Sequence, residues 1–434
     1  MPPQLLAGAA EVDITPPVGT KMIGGLRPRP SSGIDDPLMV KAIVLESDGV
    51  RIAYAIFDLA MLGRDVGDPA VALASRETGI PADHIAWSAS HTHSGPCTQA
   101  GTYPRSEGNP IDEEWLRTVP RRFADCIRQA DANKAPVRMS RLRGYQHGLS
   151  GNRRVRFKDG REINTWLLNS GEDDLQCVGA AGPVDPEVGI LSFEDPRGRM
   201  VAVMFHFALH ANAHFGTRFS GDYPAVVAGR IRERFGPQAA TLFVPGACGD
   251  VNPIVADHRA LGNALADVII RKLEARRPID GPVFLGACKR TVLLPCRDFA
   301  ADQEQRLQAS QWSQDAQAFF RETQKELQER GDREVESVLQ AWHIGDVAFA
   351  SFPGEPFIEL GVAIKRNSPF PWSYPVELGG DYKGYFVTRG AWVAGGYESL
   401  VSSVGLVDPA GGELMVRQCL EMLQGLHRGW KDRQ

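Results

Sequence analysis

With 434 residues, 43% of them hydrophobic, the chain has material for a large core, built as one domain or two closely packed ones. Its 48 basic and 53 acidic side chains leave a net charge of −5, and no basic run exceeds Arg153-Arg154-Val155-Arg156, which argues against a nucleic-acid partner. The seven cysteines are scattered and never spaced CxxC, which argues against a cysteine zinc knot or a disulfide framework.

The first residues, Met1-Pro2-Pro3-Gln4-Leu5-Leu6-Ala7, lack the basic start and apolar stretch of a signal peptide. No apolar run reaches the length of a membrane span, so a cytoplasmic chain without stable membrane association is expected. Residues 1–60 are strand-rich, and Ser47-Asp48-Gly49 between two apolar runs predicts a hairpin. Helical periodicity covers 64–79 and 112–132. Between them, Asp83-His84-Ile85-Ala86-Trp87 predicts a short strand. Residues 140–170 are polar and Arg-rich, with a loop at Asn152-Arg153. An apolar strand at 201–209 runs into His210, followed by a helix at 224–235, a strand at 240–244 and a helix at 257–275. Residues 300–336 predict a long, mostly solvated helix or helical pair without a strict heptad, a surface open to self-association. Strand returns at 337–351 and ends at Pro353-Gly354-Glu355. Strands alternating with helices predict an α/β layered fold.

The most informative run is Ser88-Ala89-Ser90-His91-Thr92-His93-Ser94-Gly95-Pro96. In extended backbone, alternate residues face the same way, so His91 and His93 are expected to project together from a strand end. Two imidazoles so placed suit metal ligation, or a ligand beside an acid–base group; a polar loop holding two histidines is the plain alternative. His206, His210 and His214 follow at spacings of four. His210 ends the apolar run and is the ligand candidate, whereas His206 and His214 are expected to pack or cap. The loop Gly246-Ala247-Cys248-Gly249-Asp250-Val251-Asn252-Pro253 brings backbone close to a ligand or is only a tight turn. It is no phosphate loop, and no GxSxG elbow occurs, which disfavours a serine hydrolase. Glu355 follows a buried strand and a Pro-Gly turn, where α/β folds place ligand sites. Tyr382, Tyr385 and Tyr397 lie among glycines.

In this order the motifs resemble the N-terminal catalytic domain of the neutral (non-lysosomal, alkaline) ceramidase family. The resemblance rests on Gly8-Ala9-Ala10-Glu11-Val12-Asp13-Ile14-Thr15-Pro16-Pro17, Ser90-His91-Thr92-His93-Ser94-Gly95-Pro96 and Asn152-Arg153. It continues in Phe207-Ala208-Leu209-His210, Gly249-Asp250-Val251-Asn252-Pro253, Pro353-Gly354-Glu355, Gly384-Tyr385-Phe386-Val387-Thr388 and Tyr397-Glu398. It implies a single domain over 1–434, of layered mixed β-sheets flanked by helices, with a helical insertion at about 300–336. It also implies one zinc ion per chain, held by His91, His210, Glu355 and Tyr385, with zinc-activated water attacking an amide carbonyl. By the same resemblance His93 stabilises the tetrahedral intermediate or carries a proton, and Tyr397 and Arg153 hydrogen-bond the reacting oxygen or the substrate. Asp58 and Asp222 are expected to support the ligand imidazoles.

Two departures bear on substrate. The family loop reads Gly-Asp-Val-Ser-Pro and needs its serine; here Asn252 replaces it, unable to act as a nucleophile but able to donate a hydrogen bond. The family's C-terminal immunoglobulin-like domain is not expected within this chain. A small, soluble, polar amide is therefore expected as substrate, hydrolysed at its C–N bond. An esterase or lactonase with the same zinc site, and an inactive metal-bearing binding protein, are the alternatives.

Overall fold

The hairpin predicted at Ser47-Asp48-Gly49 joins strands Met39–Ser47 and Val50–Phe57. Asp48 (φ 50°) and Gly49 (φ 72°) both adopt left-handed backbone, as a two-residue turn matched to strand twist requires. The computed structural model describes residues 4–434 except 169, 170, 172–174, 300–302 and 310. Three mixed sheets dominate. The first runs Ile85–Ala89, Val50–Phe57, Met39–Ser47, Leu6–Asp13 and Ala135–Pro136. The second runs Ala240–Pro245, Met200–Phe207, Glu187–Glu194 and Arg138–Tyr145. The third runs Leu285–Pro295, Glu334–Ile344, Val347–Ser351 and Trp372–Val376.

Each sheet buries both faces, and the period-2 alternation of its strands decides which residue goes where. In Met39–Ser47, Ala42 and Val44 face helices Arg64–Thr78 and Val119–Ala132, while Ile43 and Leu45 face the other two sheets. Helices Asp222–Phe235 and His258–Glu274 cover the outer face of the second sheet. Ile358–Asn367 and Pro409–Lys431 cover the third. The inner faces meet in one shared core that includes Ile43, Phe193, Met204, Leu242, Trp342 and Phe349. The expected α/β architecture of layered mixed sheets flanked by helices is therefore present.

In each sheet one strand pair is parallel: Val50–Phe57 with Ile85–Ala89, Met200–Phe207 with Ala240–Pro245, and Val347–Ser351 with Trp372–Val376. The loops leaving these pairs carry the histidines, the glycine loop, Glu355 and the tyrosines.

Several elements differ from expectation. The helix expected at 112–132 is broken into Glu113–Leu116 and Val119–Ala132, because Pro120 cannot donate within a continuous helix but fits a first turn. Segment 140–170, expected only to be polar with a loop at Asn152-Arg153, also contains strands Ser150–Asn152, Arg154–Phe157 and Glu162–Asn164, with Arg153 at the bend between the first two. The strand expected at 337–351 is a hairpin, turning at Gly345 (φ 60°). The helical insertion is a pair, Gln303–Ala309 and Gln314–Arg330, its expected start at 300 lying outside the described residues. No helix among the described residues is long and apolar enough to cross a membrane.

Phe57 ties the first layer to the site. It stacks on Phe123 (5.4 Å), meets Trp87 edge-on (5.9 Å), and its carbonyl accepts from Ser90 N–H (2.8 Å). Phe57→Ala is expected to cost about 3–5 kcal/mol, read from the midpoint of urea unfolding. A cost below about 1 kcal/mol would show that this layer is not packed as described.

Candidate metal centre

His91 and His93 do not reach the site by strand alternation, because the strand ends at Ala89. His91 instead takes left-handed backbone (φ 66°), uncommon for a residue with a side chain, and its N–H donates to Leu59 C=O (2.9 Å). His93 N–H donates to Ala211 C=O (3.0 Å), which stitches this loop to the one carrying His210. The glycine loop joins the short parallel pair Glu355–Pro356 and Tyr385–Phe386 through Gly249 N–H to Pro356 C=O (2.9 Å). A Cβ on Gly249 would sit 2.5 Å from the Glu355 carbonyl, and one on Gly354 (φ 153°) 2.2 Å from that of Gly384. These glycines permit the backbone approach that pairs Glu355 with Tyr385.

Three side chains meet at the centre. His91 Nε2 and His210 Nε2 lie 3.2 and 3.3 Å from Glu355 Oε2, all three residues being buried. His93 Nε2 lies 3.5 Å from His91 Nε2. The opposite ring nitrogens are committed: His91 Nδ1 to Ala60 C=O (2.8 Å) and His210 Nδ1 to Cys248 C=O (2.7 Å). A carbonyl only accepts, so each Nδ1 carries the proton and each neutral ring turns an Nε2 lone pair toward the carboxylate. Glu355 Oε2 has no hydrogen-bond partner, whereas Oε1 accepts from Tyr382 Oη (2.7 Å). Facing lone pairs at such separations require a proton or a cation between them. Donors bound at 2.0–2.2 Å around a tetrahedral zinc ion stand about 3.3 Å apart, so the donor set fits zinc in both chemistry and spacing.

Without a cation, the imidazoles and carboxylate share charge. Burial opposes charging of His91, yet the Glu355 carboxylate carries its pKa up to about 9. Burial, then His91 and Arg153, push His210 down to about 4. Burial and the two neighbouring imidazoles hold His93 well below its usual range. Burial would raise Glu355, but His91 and His210 keep it well below the usual carboxylate range.

Arg153 lies against the cluster. Its Nη1 donates to His210 Nε2 (3.1 Å) and Asn252 Oδ1 (3.2 Å), and its Nε to Glu398 (2.8 Å). Glu398 also binds Arg154 Nη1 (2.7 Å) and Asn164 Nδ2 (2.8 Å), so a buried charge network aims Arg153 at the site. Asn252 Oδ1 accepts from Arg153 and from Asn212 Nδ2 (3.4 Å), which orients the carboxamide so that its Nδ2 remains available as a donor. Tyr385 lies 5.3 Å by ring centroid from the Arg153 guanidinium and 5.7 Å from the Tyr397 ring. Burial holds both phenols protonated, raising Tyr385 and Tyr397 above their usual range.

These groups border a cavity of about 590 Å³ that reaches His91, His93, Arg153, Asn252, Glu355, Tyr385 and Tyr397. His206 and His214 are elsewhere, as expected: His206 bonds Pro375 C=O (2.9 Å), and His214 bonds Asp35 (2.8 Å) and Ser94 (2.8 Å). Asp58 and Asp222 do not support the ligand imidazoles. Asp58 pairs with Lys41 (3.3 Å), and Asp222 accepts from the backbone of His214 (2.7 Å) and Tyr223 (2.6 Å). Backbone carbonyls take that part instead, and they leave no mark in residue type. Sequence reasoning also missed Tyr382 and Glu398 as partners of Glu355 and Arg153. Their only signal is adjacency to the glycine-flanked tyrosine motifs.

Tyr382→Phe removes the single donor to Glu355 Oε1. It is expected to weaken zinc affinity about 10–100-fold, measured by competition with a chromogenic chelator. Unchanged affinity would mean that Tyr382 does not orient the carboxylate.

No family model matches this chain, and no curated protein sequence does. Among solved structures it is similar to neutral ceramidase from Pseudomonas aeruginosa, with a TM-score of 0.73 and 17% sequence identity over 98% of this chain and 75% of that one. It is also similar to a ceramidase complexed with C2, with a TM-score of 0.72 and 16% identity over the same shares. The chain thus has a ceramidase-like fold along nearly its whole length.

Proposed function

With the neutral-ceramidase fold as premise, we propose that this chain is a zinc-dependent hydrolase that cleaves an amide C–N bond. The observation that carries the reading is the convergence of Glu355 Oε2, buried, with two imidazole Nε2 atoms 3.2 and 3.3 Å away whose Nδ1 atoms are committed to backbone carbonyls. His91, His210, Glu355 and Tyr385 would hold the ion, with His93 beside it. Bound there, zinc supplies Lewis acidity and brings the pKa of a coordinated water toward about 7.

The remaining side chains divide the work of an acyl-transfer site. His93 lines the cavity with its Nε2 3.5 Å from His91 Nε2, where its ring can take a proton from the attacking water and return it to the leaving nitrogen. Arg153, fixed by Glu398, sets a permanent positive charge where a carbonyl oxygen becomes negative. Asn252 Nδ2 and the protonated hydroxyls of Tyr385 and Tyr397 are further donors for that oxygen or for the substrate. No nucleophilic side chain is required, so Asn252 in place of the family serine is compatible with hydrolysis. An ester needs the same groups, and a panel of amides, esters and lactones decides between the bonds.

Dialysis against a chelator is expected to abolish hydrolysis of the best amide in that panel, and zinc to restore it. Activity that survives complete metal removal would defeat the reading. Asn252→Ala is expected to lower kcat by about 10²-fold on the same substrate. An unchanged kcat would remove Asn252 from the reacting centre.

A further inference from the structure

The inner end of the cavity is polar, but its outer wall is aromatic, and that wall comes from segments that take no part in the histidine cluster. Trp312 lies just before helix Gln314–Arg330, which carries Phe319 and Phe320. Trp166 lies in the 3-10 turn Thr165–Leu167. Their rings gather around Tyr397: Trp166 at 6.1 Å and 72°, Trp312 at 5.9 Å and 58°, Phe320 at 6.2 Å and 61°. On its inner side Tyr397 meets Tyr385 at 5.7 Å and 75°. Aromatic residues thus lead without interruption from the strand partner of Glu355 to the cavity mouth.

Three properties of this wall point to its occupant. The rings are tilted or edge-to-face and none is stacked face to face on Tyr397, and ring faces and edges at such spacings attract a further ring. Trp166 keeps 44% of its surface exposed, although the Arg153 guanidinium lies 5.2 Å over its ring. Among the described lining residues Arg153 and Glu355 are the charged side chains besides the histidines; Arg153 reaches Trp166 but is paired with Glu398, so Trp312, Phe319 and Phe320 bring no charge of their own to the wall. A volume of about 590 Å³ accommodates a ring together with the reacting group.

We propose that this wall is a specificity site that takes an aryl or arylalkyl group, so the substrate is an amide with a neutral aromatic portion rather than a small polar molecule. The inference rests on the hydrolase reading above. Trp312 and Phe319 are the specificity-determining residues, and the helical pair at 303–330 supplies them.

The test is calorimetric binding of three hydroxamates to the zinc-loaded protein: acetohydroxamate, hexanohydroxamate and phenylacetohydroxamate. They share one zinc-chelating head, so differences in affinity report on the tail. Phenylacetohydroxamate is expected to bind about 10–100-fold more tightly than acetohydroxamate, and more tightly than hexanohydroxamate. Trp312→Ala is expected to erase most of that advantage while leaving the acetohydroxamate Kd unchanged. Phe319→Ala, at a half-buried helix position, gives a second reading if the first variant fails to fold. Equal affinity for the acetyl and phenylacetyl compounds overturns the aromatic site and leaves the metal reading standing. Tightest binding of the hexanoyl compound assigns the wall to a chain instead, which also overturns the proposal. If no hydroxamate binds, the metal reading fails and this inference falls with it.

Discussion

Two backbone carbonyls set the chemistry of this site. Because Ala60 and Cys248 each accept from an Nδ1, His91 and His210 must turn unprotonated Nε2 atoms toward Glu355 when neutral. A buried carboxylate oxygen without a donor is costly, and a buried unpaired charge costs several kcal/mol. Tyr382 relieves only the other oxygen, Oε1. Among protein groups alone, a proton on His91 Nε2 is what joins that ring to Glu355 Oε2. A divalent cation meets the requirement of all three atoms at once, and a proton meets only part of it.

The rest of the fold keeps those atoms in place. Three sheets share one inner core, and each closes its outer face with a pair of helices. Their parallel strand pairs open toward the same region, so each layer delivers part of the site. Cross-links between the loops, such as His93 N–H to Ala211 and Gly249 N–H to Pro356, lock these contributions together. The buried network of Arg153, Arg154, Glu162 and Glu398 does the same for the cationic side. Pairs of this kind add little net stability but are strongly destabilising when broken, which suits them to fixing direction rather than energy.

Much of this was legible in the sequence, for identifiable reasons. The hairpin at 47–49, the strand into His210 and the helices near 224 and 257 carry strong local periodicity, and the structure contains each. His91, His93, His210 and Glu355 stood out because rare ligand-type residues followed apolar strands. The alternation argument expected His91 and His93 to project together from a strand end; they do lie side by side, but a left-handed turn beyond the strand brings them there. Strand Leu285–Pro295 was missed because it carries Lys289, Arg290 and Thr291 in its middle. The supports of the imidazoles were misassigned to Asp58 and Asp222 because the true acceptors belong to the backbone. The aromatic wall was illegible for another cause: Trp166, Trp312 and Tyr397 are far apart in the chain and meet only through tertiary packing.

The most direct test is the metal content of the purified protein and of a folded His210→Ala variant, by elemental mass spectrometry. The account expects about one zinc ion per chain in the wild type and its loss in the variant. A folded wild-type protein that takes up no zinc after dialysis against excess zinc would contradict it.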